Sequence, residues 1–368
     1  MHEIPTGASV QACTKTTYNS YKKNQFYQTN MEIPLVTVIC ICYQHEKFVK
    51  KALESIFLQT YPRLQILITD DKSNDNSVTI IQKFIEEKYL YTEIIDKNFE
   101  REIIFFPFDN LGRIGNCKRF NLLLQKAKGK YVIDFATDDV FLPEKIEEQV
   151  NFFELQPPKV GVVFTNSMNI NENGDILNYH FKIDENQKTT ELIPQGDIFS
   201  AILRKYFIPT PTMMIRKSIL DELKGYDEEL SYEDFDFWVR SVQICDYKYL
   251  DTITTLKRDV KNSHSKQFYT RNQNQHLAST LKVCEKAAKF IQKKSELFAL
   301  KKCLLYHQKQ CFFMHHFDLF FEYENVLERI YPHKKSIKRK LFIYLAKNKI
   351  KLFMFYRVYI FWKYKKKI

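Results

Sequence analysis

Glycine and proline are scarce in this chain of 368 residues, at 8 and 11. Such a composition excludes a fibrous or low-complexity polymer. The glycine cradles for phosphate are missing too. Neither G-x-G-x-x-G nor G-x-x-x-x-G-K-[ST] occurs, so a phosphate-bearing ligand must be gripped by other groups. The 8 cysteines include no C-x-x-C pair and no Cys/His cluster with zinc spacing. Cys40 and Cys42 sit two apart in a strand-like run, face the same side and cannot easily bridge. Scattered free thiols suit a reducing compartment. No run reaches the ~20 apolar residues that span a bilayer. The densest, Leu352 to Trp362, is 11 residues with Arg357 in its middle. Residues 1–33 are polar, lack a basic-then-apolar signal pattern and read as a flexible leader.

Acid is missing from one end. Residues 331–368 hold 13 of the 56 Lys and Arg and none of the 44 Asp and Glu, so the net charge of +12 belongs to a basic tail on a near-neutral body. Basic residues there alternate with large aromatics. Ile337, Leu341, Phe342, Tyr344 and later Phe353, Tyr356, Phe361 and Trp362 are interleaved with lysines. That pattern fits a helix lying in an anionic membrane surface; the plainer alternative is a helix packed on the body or on another subunit. No nucleic-acid reader motif accompanies the charge.

What is present in quantity is apolar and aromatic: 45% hydrophobic residues, with 31 Phe and 22 Tyr. From Val36 the pattern becomes regular. Val36 to Cys42 is a continuous apolar run, as in a strand buried on both faces. Phe48, Val49, Ala52, Leu53, Ile56 and Phe57 follow at helical spacing, and Tyr61-Pro62 stops that helix. Strands at Leu64–Thr69, Ile103–Phe108 and Tyr131–Phe135 alternate with helices over Val78–Ile85, Gly115–Lys128 and from Pro143. This alternation predicts an α/β sheet of parallel strands with helices on both faces. Ligands of such sheets bind outside the carboxyl ends of the strands. The polar groups predicted there are Tyr43, Asp70-Asp71, Asp109-Asn110 and Asp138-Asp139. Beyond Val160 a strand, an Asn173-Gly174 hairpin turn, short helices over 196–206, 217–224 and 234–244, and a strand over 247–256 are expected. From about 272 the chain reads as helical, broken near Tyr331-Pro332.

Three carboxylate pairs carry possible chemistry. Asp138-Asp139 at a strand end repel each other unless a cation joins them, and Mg²⁺ takes one or two carboxylates plus substrate phosphates. A solvated turn is the plainer alternative. Asp70-Asp71 offers acceptors for a base or ribose, or an Asx-turn with Ser73. Asp234 would open a helix whose stripe of Phe235, Trp238, Val239 and Val242 faces inward. A carboxylate against apolar neighbours gains a raised pKa, as a general base needs, although acids at helix starts are also favoured by the dipole alone.

Taken in order, these segments resemble the inverting family 2 glycosyltransferases of GT-A fold, over roughly residues 34–265. Val36 to Phe48 resembles the family's opening strand and turn, and Ala52-Leu53-Glu54-Ser55-Ile56 with Gln59-Thr60-Tyr61-Pro62 its first helix and exit. Asp70-Asp71-Lys72-Ser73-Asn74-Asp75 stands where the family has DDGSTD, Asn110-Leu111-Gly112 at its NxG element, and Ala127-Lys128-Gly129-Lys130-Tyr131 at its AxGxY element. Thr137-Asp138-Asp139 occupies the DxD region and Glu233-Asp234 the ED motif. Departures are Gln44 for Asn, Lys72 for Gly, Ala136 for the first Asp of DxD, and Val260 for the His of a later RxHxxSxS element, with His264 nearby.

The resemblance implies a GT-A domain over 34–270 and a helical C-terminal region over 271–368 that ends in the basic aromatic tail. It implies inverting, metal-dependent sugar transfer from a nucleotide-sugar to a hydroxyl of a glycan or lipid-linked acceptor, in surface polysaccharide synthesis. Asp234 is then the base, and Asp138 with Asp139 holds Mg²⁺ or Mn²⁺. Tyr43, Asp70, Asp71, Asn110, Arg113 and Lys118 bind the nucleotide. Glu233, Trp238, Arg258 and His264 contact acceptor or diphosphate. With the tail, it implies a cytoplasmic enzyme peripheral on the inner membrane face. The alternatives are a degenerate membrane-bound scaffold, supported by Lys72, Ala136 and Val260, and a nucleotidyltransferase, which usually needs the missing phosphate loop.

Overall fold

The computed structural model describes residues 33–92, 100–107, 115–260, 274–332 and 335–353, with side chains to 88 in the first stretch. The segment Met1–Pro34 is a separate unit from Leu35–Ile368. In the second unit β1 (Val36–Cys42) is buried along its whole length. It lies between β2 (Arg63–Asp70) and β4 (Tyr131–Ala136), parallel to both. β3 (Glu100–Phe106) adds in parallel outside β2. Each crossover is a helix, as parallel pairing requires: α1 (Val49–Phe57), α2 (Ser77–Thr92) and α3 (Asn116–Leu124). Ile39 and Ile41 of β1 join the main core cluster, while the alternate residues Val38 and Cys40 are equally buried. Both faces of the strand are therefore covered, which is why the sequence reads as an unbroken apolar run.

The parallel half matches the predicted alternation; the second half is mixed. β5 (Val140–Phe141), α4 (Lys145–Glu154), β6 (Val160–Ile170) and β7 (Ile176–Tyr179) follow. Next come α5 (Phe199–Arg204), β8 (Met214–Arg216), α6 (Lys217–Glu222), α7 (Asp234–Ser241) and β9 (Asp246–Arg258). The sheet order is β3-β2-β1-β4-β8-β6-β9-β5, with β7 paired to β6. β8 reverses the direction, antiparallel to both β4 and β6. At three residues it is too short to leave a periodic signal. The β6–β7 hairpin turns at the expected place, with Gly174 at φ 98°.

Close approach explains one glycine. A Cβ on Gly129 would lie 2.5 Å from the Thr37 amide nitrogen, so only glycine lets the chain enter β4 against β1.

The C-terminal helices α8 (Gln275–Ala288), α9 (Lys294–Phe313) and α10 (Phe317–Ile330) pack into the same core. Leu281, Cys284, Leu304, Phe320 and Tyr323 belong to one buried cluster with Phe120, Phe235 and Trp238. The boundary expected near residue 270 lies outside the described residues. α11 (Ile337–Lys347) begins at Ser336, whose hydroxyl accepts from the Arg339 amide at 3.3 Å. Buried Glu324 anchors it through Arg339 Nε at 3.0 Å and Lys335 Nζ at 3.1 Å. Phe342 stacks edge-on against Phe312 at 5.0 Å, and Ala346 is buried. The opposite face leaves Ile337, Leu341 and Tyr344 exposed by 86%, 54% and 62%. No described helix is long and apolar enough to cross a membrane. The seven described cysteines are buried and unbridged.

Candidate active site

Register brings the polar strand ends together. Cys42 of β1 pairs with Asp70 of β2, and Ile41 pairs with Ala136 of β4. The segments that begin at Tyr43, Asp71 and Thr137 therefore leave one edge of the sheet side by side. Two turns fix that edge. The Ser73 amide and hydroxyl donate to the two Asp70 carboxylate oxygens, each at 2.6 Å, and the Gln44 amide donates to Ser73 Oγ at 2.7 Å. This is the Asx-turn geometry. An ionised carboxylate has about four lone-pair sites, so Asp70 keeps acceptors to spare. Gln44 and Lys72 hold φ of 56° and 63°. Both stand where the resembled family has Asn and Gly, residue types that adopt this conformation at least cost. The departures keep the backbone shape at some strain.

Asp71 is buried and accepts from the Gly115 amide at 3.1 Å and from Arg119 Nε at 3.0 Å. Arg119 is itself 1% exposed, whereas Lys118, expected to meet the nucleotide, is exposed on α3. Asn110, Arg113 and His264 lie outside the described residues. Tyr43 is half-buried just past β1.

Asp138 and Asp139 separate into two tasks. Asp139 is 4% exposed and accepts the Arg258 amide at 2.7 Å, tying β9 to this turn. Burial and the neighbouring Asp138 charge push its carboxyl well above the usual range. The Arg258 guanidinium donates to the carbonyls of Asp138 (2.8 Å), Asn171 (3.0 Å) and Glu172 (3.0 Å) and lies 4.6 Å above the Phe48 ring. Arg258 is expected to contact acceptor or diphosphate; here its Nε joins β9 to the Asp138 turn and its Nη1 joins it to the β6–β7 turn. Asp138 has no hydrogen-bond donor on its carboxylate among the described residues. Its neighbour is His45, with Nε2 3.9 Å from Oδ2.

The donor set fits a hard divalent cation only in part. Among the described residues no three His, Cys, Asp or Glu side chains gather to hold a metal unaided. One open carboxylate at a strand edge is what a cation shared with a ligand's phosphates requires.

The second carboxylate group surrounds the start of α7. Asp234 Oδ1 accepts from the Phe235 amide at 2.8 Å and Oδ2 from Thr210 Oγ1 at 3.3 Å. Burial raises its pKa, and the charge of Lys257 opposes the rise. Glu233 is pushed up to about 8 by burial and by the charges of Asp134 and Asp234. Asp134, on β4, reaches about 7 for the same reason, offset by a Tyr226 hydroxyl donating at 3.1 Å. Carboxyl groups tuned this way take up a proton near neutral pH. The C-terminal helices hold the segment in place. Lys286 pairs with buried Asp236 at 2.6 Å, Tyr232 OH lies 2.6 Å from Thr280 Oγ1, and Ser231 Oγ lies 2.6 Å from His276 Nδ1.

Lys257 unites the two carboxylate groups. Val140 pairs with Leu256 in antiparallel register, which sets Asp139 across from Lys257. Its charge is felt by both Asp139 and Asp234. Neither Lys257 nor Asp134 stands out in the sequence: each sits inside a strand without a motif. Trp238 departs from expectation in the other direction. It is 1% exposed, its Nε1 points at Met213 Sδ (3.3 Å), and it forms core rather than an acceptor contact.

Known proteins are similar to this chain in sequence and fold. The model of glycosyl transferase family 2 matches residues 37–224. The uncharacterized glycosyltransferase MJ1057 of Methanocaldococcus jannaschii is 32% identical over 227 residues, 60% of this chain and 68% of its own. The O-antigen biosynthesis glycosyltransferase WbnJ of Escherichia coli is 24% identical over 58% of this chain and 74% of its own. Two relatives from Rickettsia are much longer, this chain spanning 30% and 37% of them. Among solved structures, TarS of S. aureus in complex with UDP-GlcNAc superposes with a TM-score of 0.58 at 18% identity, over 86% of this chain and 88% of that one. The mannosyltransferase PcManGT of Pyrobaculum calidifontis, in complex with GDP-Man and Mn²⁺, gives 0.50 at 13% identity, over 87% and 86%. Structural likeness at these identities speaks for a shared GT-A fold. With half of its length matched by the family model and the strand-end carboxylates in place, the chain belongs to glycosyl transferase family 2 and is a glycosyltransferase.

Proposed function

We propose that the protein transfers a sugar from a nucleotide-diphosphate donor to an acceptor hydroxyl with inversion at the anomeric carbon. The observation that carries this reading is the strand register, which brings the ends of β1, β2 and β4 with Asp70 and the Asp138 turn to one edge of the sheet, together with the Asp234 carboxylate held at the start of α7 by the Phe235 amide and Thr210 Oγ1. Tyr43, Asp70 and Asp71 frame the base and ribose. Asp138 would hold Mg²⁺ or Mn²⁺, whose charge would offset the negative charge that develops on the leaving diphosphate. Asp234 takes the proton of the acceptor hydroxyl as that oxygen attacks opposite the leaving group. The Asp234 charge in turn helps to hold the Asp134 and Glu233 carboxyls above their ordinary range, after burial. The Lys257 charge opposes the rise at Asp234 and favours the ionised form that acts as base. A single displacement inverts the centre. Proton NMR of the first-formed product, with water as the slow acceptor, checks this: a free sugar of configuration opposite to the donor is expected, and retention contradicts it.

The acceptor is a glycan or lipid-linked glycan of surface polysaccharide assembly. WbnJ's O-antigen role and the basic C-terminal helix support that reading. α11 turns Ile337, Leu341 and Tyr344 outward among Lys338, Lys340 and Lys347, a face suited to an anionic bilayer surface. The enzyme would then work at the inner face of the cell membrane. Co-sedimentation with vesicles that contain phosphatidylserine, lost at high salt and in the Ile337→Ser/Leu341→Ser/Tyr344→Ser variant, is expected. Absence of binding at low salt removes the membrane role.

A further inference from the structure

We propose that His45 is a second protein ligand of the divalent cation, facing Asp138 across the mouth of the sheet. This rests on the reading of Asp138 as a cation ligand and adds a residue to it. Three observations bear on it. First, the distance of 3.9 Å between His45 Nε2 and Asp138 Oδ2 is too long for a hydrogen bond. It falls within the span open to two ligands of one ion, and a closure of about 1 Å brings it to the ~3.0 Å of neighbouring octahedral positions. Imidazole nitrogen and carboxylate oxygen each sit ~2.1 Å from such an ion, so two ligand atoms are separated by at most about 4.2 Å.

Second, the ring is oriented by its other nitrogen. His45 Nδ1 lies 2.9 Å from Thr137 Oγ1, and that hydroxyl has the Ile41 carbonyl at 3.4 Å as its own acceptor. With Thr137 Oγ1 donating to that carbonyl, Nδ1 is the donor to Thr137 and Nε2, on the side of Asp138, keeps its lone pair, and this tautomer is part of the proposal. A metal-binding imidazole fixed through its remote N–H has this arrangement. Third, the backbone is pinned. The His45 amide donates to Ser77 Oγ at 3.0 Å, and its carbonyl accepts the Phe48 and Val49 amides at 2.8 Å, the start of α1. A ligand on so constrained a turn loses little freedom on binding. Both side chains remain open to solvent, by 19% and 17%, so an ion and its waters can enter.

Two protein ligands leave coordination positions for water and for diphosphate oxygens. The ion then binds loosely alone and firmly with the substrate, as Mg²⁺ sites usually do.

The test uses the full chain, MnCl₂ and inorganic pyrophosphate, with electron spin echo modulation as the readout. The wild type is expected to show modulation from a directly bound imidazole nitrogen. His45→Gln loses it and binds Mn²⁺ at least about 10-fold more weakly. His45→Asp restores an oxygen ligand, so it keeps most of the affinity while the nitrogen signal stays absent. Thr137→Val keeps the signal with affinity lowered about 10-fold or more, the usual cost of losing the partner that orients a ligand. Nitrogen modulation that persists in His45→Gln overturns the inference. So does wild-type Mn²⁺ binding that depends on Asp138 and lacks the signal, an outcome that leaves the proposed reaction intact. Failure of the wild type to bind Mn²⁺ even with pyrophosphate overturns both.

Discussion

Asp234→Asn lowers turnover by about 10²–10⁴-fold while leaving nucleotide affinity unchanged, the range expected when a general base is removed. The amide is close to isosteric and can still accept the Phe235 amide proton, so the helix start is preserved and only proton uptake is lost. The pH profile gives an independent check. Burial holds the Asp234 carboxyl above its ordinary range. Below its pKa the group is protonated and cannot take the acceptor's proton, so wild-type turnover falls as pH drops through a value higher than that of a solvated aspartate. Lys257 opposes that rise, so its loss moves the acidic limb further toward neutral pH. In Asp234→Asn the limb that belongs to this group is gone. Steady-state rates across pH, with donor KM measured in parallel, read all of this. Full activity in Asp234→Asn removes the assignment.

Asp138→Ala abolishes cation-dependent binding of the nucleoside diphosphate. The carboxylate has no competing hydrogen-bond donor among the described residues, so its removal takes away charge directed at the cleft and little structural support. Asp139 cannot replace it, because its oxygen is committed to the Arg258 amide at 2.7 Å and its carboxyl is pushed toward the neutral form. A loss of 100-fold or more in Mn²⁺-dependent affinity, about 2.7 kcal/mol, is expected by calorimetry. Equal affinity with and without the ion in wild type and variant alike contradicts the role. Asp139→Ala is expected to behave differently. It unties β9 from the turn and leaves the Arg258 amide without its acceptor, so it lowers the melting temperature as well as affinity.

The parallel half of the fold was legible because a strand buried on both faces writes an apolar run, and Val36–Cys42 is one. The carboxylates at the strand ends were legible for the same reason: they follow directly on such runs. Four features were not. β8 is too short for a period. Asp134 lies inside a strand read as apolar, and its meaning comes from Asp234, 100 positions later. The stripe expected on α7 was one-sided, yet Phe237 and Asp236 are buried as well, since α8 closes over that side and Lys286 neutralises Asp236. His45 lies in a turn whose value depends on where Thr137 and Asp138 fall, and only strand register reveals that. Arg258 and Trp238 show how packing engages residues whose types suggest a ligand contact. Both residue types suit ligand contacts, but here one clamps backbone carbonyls and the other fills the core.

The most direct measurement is the thermal midpoint of the full chain with UDP, GDP, dTDP and ADP, each with and without Mn²⁺. A ligand that binds only the folded state raises the midpoint. We expect one diphosphate to do so strongly when Mn²⁺ is present, weakly when it is absent, and not at all in Asp138→Ala. If no diphosphate shifts the wild-type midpoint under either condition, the strand-end carboxylates do not serve a nucleotide.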